Sequence, residues 1–206
     1  MKNKIKSIYK RYGVIGIIEN GLLKAVSHFG FKDLQLLRLL CRDIDFKSIP
    51  SDYEIIQLHS NDFIRCQLND KNWITDDYIN IVERRVSHPQ KNYECYGICI
   101  NNVIASYAWI SLNLEPKTEM PMEKESSFIF DVYTNPVFRG KKLFPITLAF
   151  LLKRLNSLGK KQVYACVDIY NRASLKAFSK VGFKQITKFF TWKKKGKTIS
   201  TLKNSL

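Results

Sequence analysis

The hydrophobic positions from residue 53 to 112 repeat with two different periods, which predicts a mixture of helices and strands. "YEIIQL" at 53–58 alternates like a strand, whereas "SNDFIRCQL" and "TDDYINIVERRV" each open with a capping residue and then carry an apolar stripe. Two runs rich in β-branched and aromatic residues flank Asn101 and Asn102, a turn pair typical of a β-hairpin. The pattern therefore predicts a strand, two helices and a hairpin.

The second half of the chain continues with alternating strands and helices. A polar loop at 113–125 leads into the strand "SFIFDVYT", after which a helix carries Pro145 in its first turn and ends at Gly159. The strand "QVYACVDIY" follows, and "NRASLKAFSKVGF" predicts a short helix that Asn171 caps. "FKQITKFFTWKKKGKTISTL" predicts a closing hairpin around Gly196.

The N-terminal segment predicts a basic amphipathic helix rather than a cleaved signal or a membrane span. Apolar residues recur at helical spacing and lysines lie close by, while charged residues interrupt every window long enough to cross a bilayer. We expect residues 1–50 to form a helical extension and residues 51–206 to form the main domain. The helix of the extension either docks on its own domain or lies on an anionic membrane surface through residues 1–30.

Composition restricts the partners and the compartment. The 206 residues carry a net charge of +16, and residues 184–206 hold seven basic side chains and no acidic one. Such a field favours anionic partners without choosing among phosphates, lipids and nucleic acid. The five cysteines are scattered and lack zinc-site spacing, so we expect a reducing, cytoplasmic environment and no metal. Cys95 and Cys99 are expected to share one strand face.

A basic turn precedes the longest predicted helix. Arg139, Gly140, Lys141 and Lys142 lie between the strand "SFIFDVYT" and the helix that contains Pro145. The first turn of a helix has N–H groups without intrahelical partners, and cationic side chains beside them attract an anion. The turn therefore predicts a phosphate or pyrophosphate site.

Two segments carry a resemblance to a known family. "VYTNPVFRGKKLFPITLAFLL" and "YNRASLKAFSKVGF" resemble the signature segments of the GNAT superfamily of acyl-CoA-dependent N-acetyltransferases. The resemblance covers residues 53 to about 192 and is specific from 128 to 183. It implies an α/β fold with a mixed, mostly antiparallel central sheet flanked by helices. Residues 1–50 lie outside it.

The resemblance also implies where acetyl-CoA would bind. The pantetheine arm would pair with the strand that ends at Thr134, one N–H would polarise the thioester carbonyl, and the basic turn would hold the pyrophosphate. The residues implied for the co-substrate are Val132, Tyr133, Thr134, Arg139, Gly140, Lys141, Lys142, Leu143, Phe144, Asn171, Ser174 and Phe178. Lys142 and Phe144 stand where the family usually has small residues, so their side chains are expected to point away from the phosphates.

The chemistry implied is attack of an amine on a thioester. The amine must be neutral, so a general base is expected, and Asp131 is the first candidate because family members often place a carboxylate on this strand. Glu119, Glu123 and Glu125 in the preceding loop are alternatives. Phe178 occupies the place of the tyrosine that protonates the leaving thiolate in the family, so water or Tyr170 would supply that proton.

The function expected is acetyl transfer to a small primary amine, with an amino sugar of surface-polysaccharide synthesis as one acceptor. The alternative is a non-catalytic acyl-CoA-binding module associated with a membrane surface or nucleic acid. Nucleic acid is the less favoured partner, since the lysines in "KFFTWKKKGK" suit a hairpin edge that resists pairing. A homodimer is left open.

Overall fold

The computed structural model describes residues 32–40, 53–69, 74–87, 92–113, 122–123, 126–194 and 197–202. The chain is mixed α/β, with a mostly antiparallel sheet and flanking helices, as the sequence predicts. Its strands are β1 Lys32–Leu40, β2 Ile56–Gln57, β3 Tyr93–Ile100, β4 Val103–Ser111, β5 Ser127–Thr134, β6 Gln162–Asp168, β7 Lys184–Lys194 and β8 Lys197–Leu202. Its helices are α1 Ser60–Asn69, α2 Asp76–Val86, α3 Leu143–Ser157 and α4 Arg172–Lys180, and a 3-10 turn spans Pro136–Phe138.

The chain divides into two compact units that interleave along the sequence. One unit contains Met1–Arg38, Pro116–Met122 and Ala165–Leu206, and the other contains Leu39–Glu115 and Glu123–Tyr164. In the second, larger unit, β2, β3, β4 and β5 form consecutive antiparallel pairs. Both residues of the β3–β4 turn have positive φ, 51° at Asn101 and 60° at Asn102, which confirms the predicted hairpin.

The sheet of the larger unit has an apolar core on each face. On one face α1 and α2 cover a cluster that includes Phe63, Val82, Tyr107 and Trp109. On the other face Leu143 and Ile146 of α3 pack on Ile98 and Ala105. Residues of β4 point to both faces and almost all are buried, as expected of a central strand covered by helices on both sides.

The predicted helix boundaries are confirmed by their capping groups. The Thr75 hydroxyl accepts a hydrogen bond from the Tyr78 N–H at 3.2 Å and begins α2. At the other end of the unit, α3 finishes just before Gly159, whose φ of 69° is the left-handed conformation that glycine adopts without cost. These residues signal the boundaries locally, which is why sequence reasoning finds them.

The smaller unit contains β1, β7, β8 and α4. β1 pairs with β7 in antiparallel register, and β7 pairs with β8, so the predicted closing hairpin is confirmed. The Asn171 side chain accepts a hydrogen bond from the Ser174 N–H at 3.2 Å and caps α4, as predicted. None of the helices described is long and apolar enough to cross a membrane.

The expectation of a helical extension over residues 1–50 is wrong for residues 32–40, which form β1. Leucine is a good helix former, and the segment "KDLQLLRLL" carries no strand signal of its own. Leu37 and Leu39 are nevertheless buried on either side of the more exposed Arg38, which is the alternation of a strand. Pairing with β7 overrides the local preference. The amphipathic pattern of residues 1–30 lies outside the described residues.

The expectation that Cys95 and Cys99 share a strand face is confirmed. The residue added at the β3–β4 register shift is Ala105 of β4, so β3 alternates without interruption. Ile98 and Ile100 pack on the α3 face, and Cys95 and Cys99 lie on the opposite one, which α1 and α2 cover. Cys95 is buried, whereas Cys99 is exposed. Burial raises the pKa of the Cys99 thiol to about 11, so this thiol stays protonated at neutral pH.

Candidate active site

The basic turn leads into α3 without a side chain that caps the helix. Lys142 occupies the cap position and makes no side-chain hydrogen bond to the helix, and the first turn of α3 contains no acidic residue. Arg139, Lys141 and Lys142 are exposed. The N-terminal end of α3, with its partial positive charge, is thus surrounded by cationic side chains, and this donor set fits a phosphate group.

The turn is held by hydrogen bonds to β4, to the end of β5 and within the turn itself. The Asn135 N–H donates to the Ala105 carbonyl at 2.9 Å, and the Asn135 side chain accepts from the Val137 N–H at 3.1 Å. The Arg139 Nε donates to the Thr134 carbonyl at 3.3 Å. Gly140 has φ of 89°, and a Cβ there would meet nothing within 4 Å. The chain conformation, rather than lack of space, explains the glycine.

The two departures from the family pattern have different structural outcomes. Lys142 has φ of 59°, so its backbone adopts the conformation that a glycine would favour although a lysine is present. Phe144 lies in the first turn of α3 and its side chain is buried. The expectation that these two side chains point away from the phosphates stays a prediction. The burial of Phe144 agrees with it, because a side chain in the core does not occupy the phosphate position.

Replacing Lys142 by glycine is expected to raise the free energy of unfolding by about 0.5 to 1 kcal/mol, because glycine adopts positive φ without a steric cost. Lys141 lies outside the positive-φ residues and serves as the matched control. Glycine at Lys141 should lower the free energy of unfolding by about 0.5 to 1 kcal/mol. Urea denaturation followed by circular dichroism measures the free energy of unfolding of both variants. Equal losses at the two positions would contradict the positive φ assigned to Lys142.

A β-bulge in β5 lies directly before the turn. Tyr107 pairs with Tyr133 and Trp109 pairs with Phe130, so Asp131 and Val132 together oppose a single residue of β4. Asp131 has φ of 46°, which is uncommon for a residue with a side chain. Sequence reasoning assumed plain alternation through this position, and the bulge changes the direction of every side chain that follows.

The Asp131 carboxylate is engaged by two donors from α2. Arg85 Nη1 lies 2.5 Å from Asp131 Oδ2, and the Tyr78 hydroxyl donates to the same oxygen at 2.9 Å. Trp109 Nε1 in turn donates to the Tyr78 oxygen at 3.2 Å. The arrangement forms a continuous polar network inside an otherwise aromatic cluster.

The Arg85 guanidinium is also placed by two aromatic rings. Its central carbon lies 4.8 Å from the centre of the Trp109 ring and 5.1 Å from that of Phe130. The side chains of Arg85 and Asp131 are 19% and 28% exposed, so water screens the pair only in part. Burial first, and then the negative charge of Asp131, raises the pKa of Tyr78 well above its ordinary value. Tyr78 therefore stays protonated and remains a donor at neutral pH.

Sequence reasoning missed Tyr78, Arg85 and Trp109 as site residues. Tyr78, Val82 and Arg85 follow one another at helical spacing, so a cationic residue lies on the stripe that faces the core. A charged residue on an apolar stripe needs a partner, and this was the available signal. The identity of the partner, 46 residues further along the chain, could not be read from it.

The remaining predicted residues of the larger unit lie around the bulge. Val132, Tyr133 and Thr134 are partly buried, and the Ser106 hydroxyl donates to the Tyr133 carbonyl at 3.2 Å. Leu143 is buried in the core beneath α3. The Glu123 N–H donates to the Tyr164 hydroxyl at 3.4 Å, whereas Glu119 and Glu125 lie outside the described residues. Across the part of the chain that is described, no cluster of His, Cys, Asp and Glu could hold a metal ion.

The smaller unit holds the other predicted residues. Phe178 is buried and its ring packs edge-on against Phe183, with 4.9 Å between ring centres. Tyr170 lies in the turn before α4, where its N–H donates to Asp168 Oδ1 at 2.8 Å. Asn171 and Ser174 form the cap of α4. Phe178 thus serves packing within this unit and offers no hydroxyl for a proton.

The mixed α/β fold with its mostly antiparallel sheet agrees with the comparison against protein families. A family model described as "Acetyltransferase (GNAT) family" matches residues 53–183. The chain belongs to this family. No curated protein matches the sequence.

The solved structures that resemble the chain share its fold at low identity. A putative GNAT acetyltransferase from Novosphingobium aromaticivorans is 14% identical, with a TM-score of 0.52 over 78% of this chain and 62% of that one. AAC(6')-Iy, solved with the bisubstrate analogue CoA-S-monomethyl-acetylneamine, is 16% identical, with a TM-score of 0.51 over 65% of this chain and 92% of that one.

A third similar structure is part of a much longer protein. The glucosamine N-acetyltransferase region of a fungal multi-domain GH3 β-N-acetylglucosaminidase is 12% identical, with a TM-score of 0.55 over 84% of this chain and 22% of that one. The chain spans 56% and 62% of the length of the first two solved structures it matches. At these identities the likeness shows the fold and leaves the acceptor open.

Proposed function

We propose that the protein transfers an acetyl group from acetyl-CoA to a primary amine. The observation that carries this proposal is the uncapped N-terminus of α3 beside three exposed cationic residues, directly after a bulged strand. The phosphates of coenzyme A suit the N-terminus of α3 and its cationic neighbours. The extended, amide-rich arm of coenzyme A suits backbone pairing along the bulged strand β5. Membership in the acetyltransferase family supports both parts.

In this proposal, the chain binds and orients the co-substrate mainly through its backbone. Arg139, Lys141 and Lys142 contact the pyrophosphate together with the N–H groups at the start of α3. Backbone groups of Val132, Tyr133 and Thr134 align the pantetheine arm, and an N–H of this segment donates to the carbonyl oxygen as negative charge develops there. Acetyl-CoA supplies the activated acyl group as a thioester.

The reaction forms a carbon–nitrogen bond, breaks the carbon–sulfur bond and moves one proton. A free alkyl amine has a pKa near about 10.4, so a base or an ordered water must take its proton. Asp131 remains the candidate from the sequence, although its Oδ2 already accepts hydrogen bonds from Arg85 and Tyr78. The departing thiolate, with a pKa near about 8.5, tolerates protonation by water or Tyr170.

We propose a small amine, with an amino sugar as the favoured acceptor. Two solved structures of similar fold are named for amino-sugar chemistry: one is a glucosamine N-acetyltransferase region and the other was solved with an acetylneamine analogue. Partly exposed aromatic rings at Phe130 and Tyr93, 5.3 Å apart, lie next to the network of Asp131. Such rings suit the apolar face of a sugar. A role in surface-polysaccharide synthesis belongs to this proposal.

Isothermal titration with acetyl-CoA, followed by mass spectrometry of a mixed amine library, tests the function. We expect binding of acetyl-CoA and a mass increase of one acetyl group on at least one amine. Binding without acetylation of any amine would favour the alternative, a non-catalytic acyl-CoA-binding module. Absence of binding would contradict both.

We further propose a cytoplasmic location with peripheral contact to the inner membrane face through residues 1–30. The support is the basic amphipathic pattern of that segment, which suits an anionic interface. The full chain should bind anionic vesicles, bind neutral vesicles less, and dissociate as salt rises. Equal binding to neutral and anionic vesicles, or none to either, would contradict membrane contact.

A further inference from the structure

The bulge of β5 contains a backbone conformation that costs free energy. Asp131 has a side chain and yet adopts φ of 46°, where the Cβ of an L-residue approaches the following carbonyl. Aspartate tolerates this conformation better than most residues, but the conformation still costs free energy. Such a conformation persists only where surrounding contacts hold it, so the contacts of Asp131 show which groups maintain the bulge.

The contacts of Asp131 come from one helix and are themselves fixed. Arg85 and Tyr78 both lie on α2 and both donate to Oδ2. Arg85 lies against the rings of Trp109 and Phe130, and Trp109 donates to the Tyr78 oxygen. Neither donor can follow the carboxylate elsewhere without losing these packing contacts. The carboxylate is therefore anchored at a fixed point, and the anchor determines the backbone at Asp131.

The position of the bulge sets the direction of all residues between it and the phosphate-binding turn. If the extra residue left β5, the register after Phe130 would shift by one, and Tyr133 and Thr134 would exchange faces. The bond from Asn135 N–H to the Ala105 carbonyl would then break, and with it the attachment of the turn. The bulge thus aligns the strand and the turn with each other.

We infer that Arg85 and Tyr78 are positioning residues: by holding Asp131 they keep the β5 bulge in the form that acetyl transfer requires. This inference rests on the proposed function. It gives Asp131 a different task from that of a general base, since the two tasks make different demands on the residue at position 131. A base needs a carboxylate, whereas a held bulge needs only a backbone that adopts positive φ.

Glycine and alanine at position 131 separate the two tasks. Both remove the carboxylate and leave Arg85 without its partner, but only glycine adopts positive φ freely. We expect Asp131→Ala to lower kcat by about tenfold or more, and Asp131→Gly to lower it by about threefold or less, with the KM for acetyl-CoA following the same order. Equal loss of kcat in the two variants would overturn the inference and support Asp131 as the general base.

A double-mutant cycle tests Arg85. Arg85→Met should lower kcat in the wild-type background and add little in the Asp131→Gly background, because no carboxylate remains to be held. Arg85→Lys should restore part of the loss. The matched control is Arg84→Met, an exposed neighbour on the same helix, which should leave kcat unchanged. Tyr78→Phe should act in the same direction as Arg85→Met, and additive losses of Arg85→Met and Asp131→Gly would overturn the inference.

A readout that does not need turnover keeps the inference apart from the proposed function. In the full-length chain labelled with ¹⁵N, the amide shifts of Val132, Tyr133 and Thr134 should stay near wild type in Asp131→Gly and move in Asp131→Ala. If the wild type acetylates no amine, the proposed function fails while these shifts still decide whether the bulge is held. Similar shifts in both variants would overturn the inference even in an active enzyme.

Discussion

Replacing Arg139 and Lys141 together by alanine is expected to weaken acetyl-CoA binding by two orders of magnitude or more. Each residue lost removes a charge-assisted contact to phosphate that contributes about 1.5 to 3 kcal/mol. Both side chains are exposed beside the start of α3, but Arg139 also donates to the Thr134 carbonyl, so the fold of the variant is checked together with its affinity. Isothermal titration measures the dissociation constant, and circular dichroism verifies the fold.

The matched control removes the same charge from the other end of α3. Lys153 and Lys161 are exposed and lie near the C-terminal end of that helix. Their double replacement by alanine should change affinity by less than about threefold, since it alters only the long-range field, which salt screens. An unchanged affinity in the Arg139 and Lys141 variant, or equal losses in both double variants, would overturn the phosphate assignment.

Replacing Trp109 by alanine is expected to lower the free energy of unfolding by about 3 to 5 kcal/mol, because a large buried aromatic side chain leaves a cavity. Only 1% of Trp109 is exposed, and its ring stacks on Phe63 and Phe130 at 6.3 Å each. It also carries the cation–π contact of Arg85 and the hydrogen bond to Tyr78. Urea denaturation gives the value.

Trp109→Phe separates packing from hydrogen bonding at this position. Phenylalanine keeps most of the ring and loses the N–H that reaches Tyr78, so we expect a loss of about 1 to 2 kcal/mol. A loss below about 1 kcal/mol for Trp109→Ala would show that the cluster around Trp109 is not the main core of its unit.

Features with a local physical cause could be predicted from the sequence. The hairpin at Asn101 and Asn102 follows from residues that tolerate positive φ, and α2 and α4 begin where Thr75 and Asn171 supply a capping oxygen. The start of α3 also has a local signal, because Pro145 lies in its first turn. Each depends on groups only a few residues apart, which a short stretch of sequence contains in full.

Features that depend on distant partners could not be predicted. β1 is a strand because β7 pairs with it, whereas its leucines alone favour a helix. The bulge at Asp131 has no marker such as glycine, and it depends on Arg85 and Tyr78 from a helix far away in the sequence. The sequence therefore predicts the start of α3 after the basic turn, which the structure confirms, and misses the bulge, which tertiary contacts hold; the phosphate site at the turn stays a prediction.

The pairing of β1 with β7 has a consequence for synthesis on the ribosome. The two strands are separated by roughly 150 residues, and at about 5 to 20 residues per second β1 waits on the order of ten seconds or longer for its partner. During that time a leucine-rich segment has an unsatisfied backbone edge, the kind of surface that chaperones recognise and that drives aggregation. We expect nascent chains stalled before residue 184 to aggregate more readily than chains released with β7 complete.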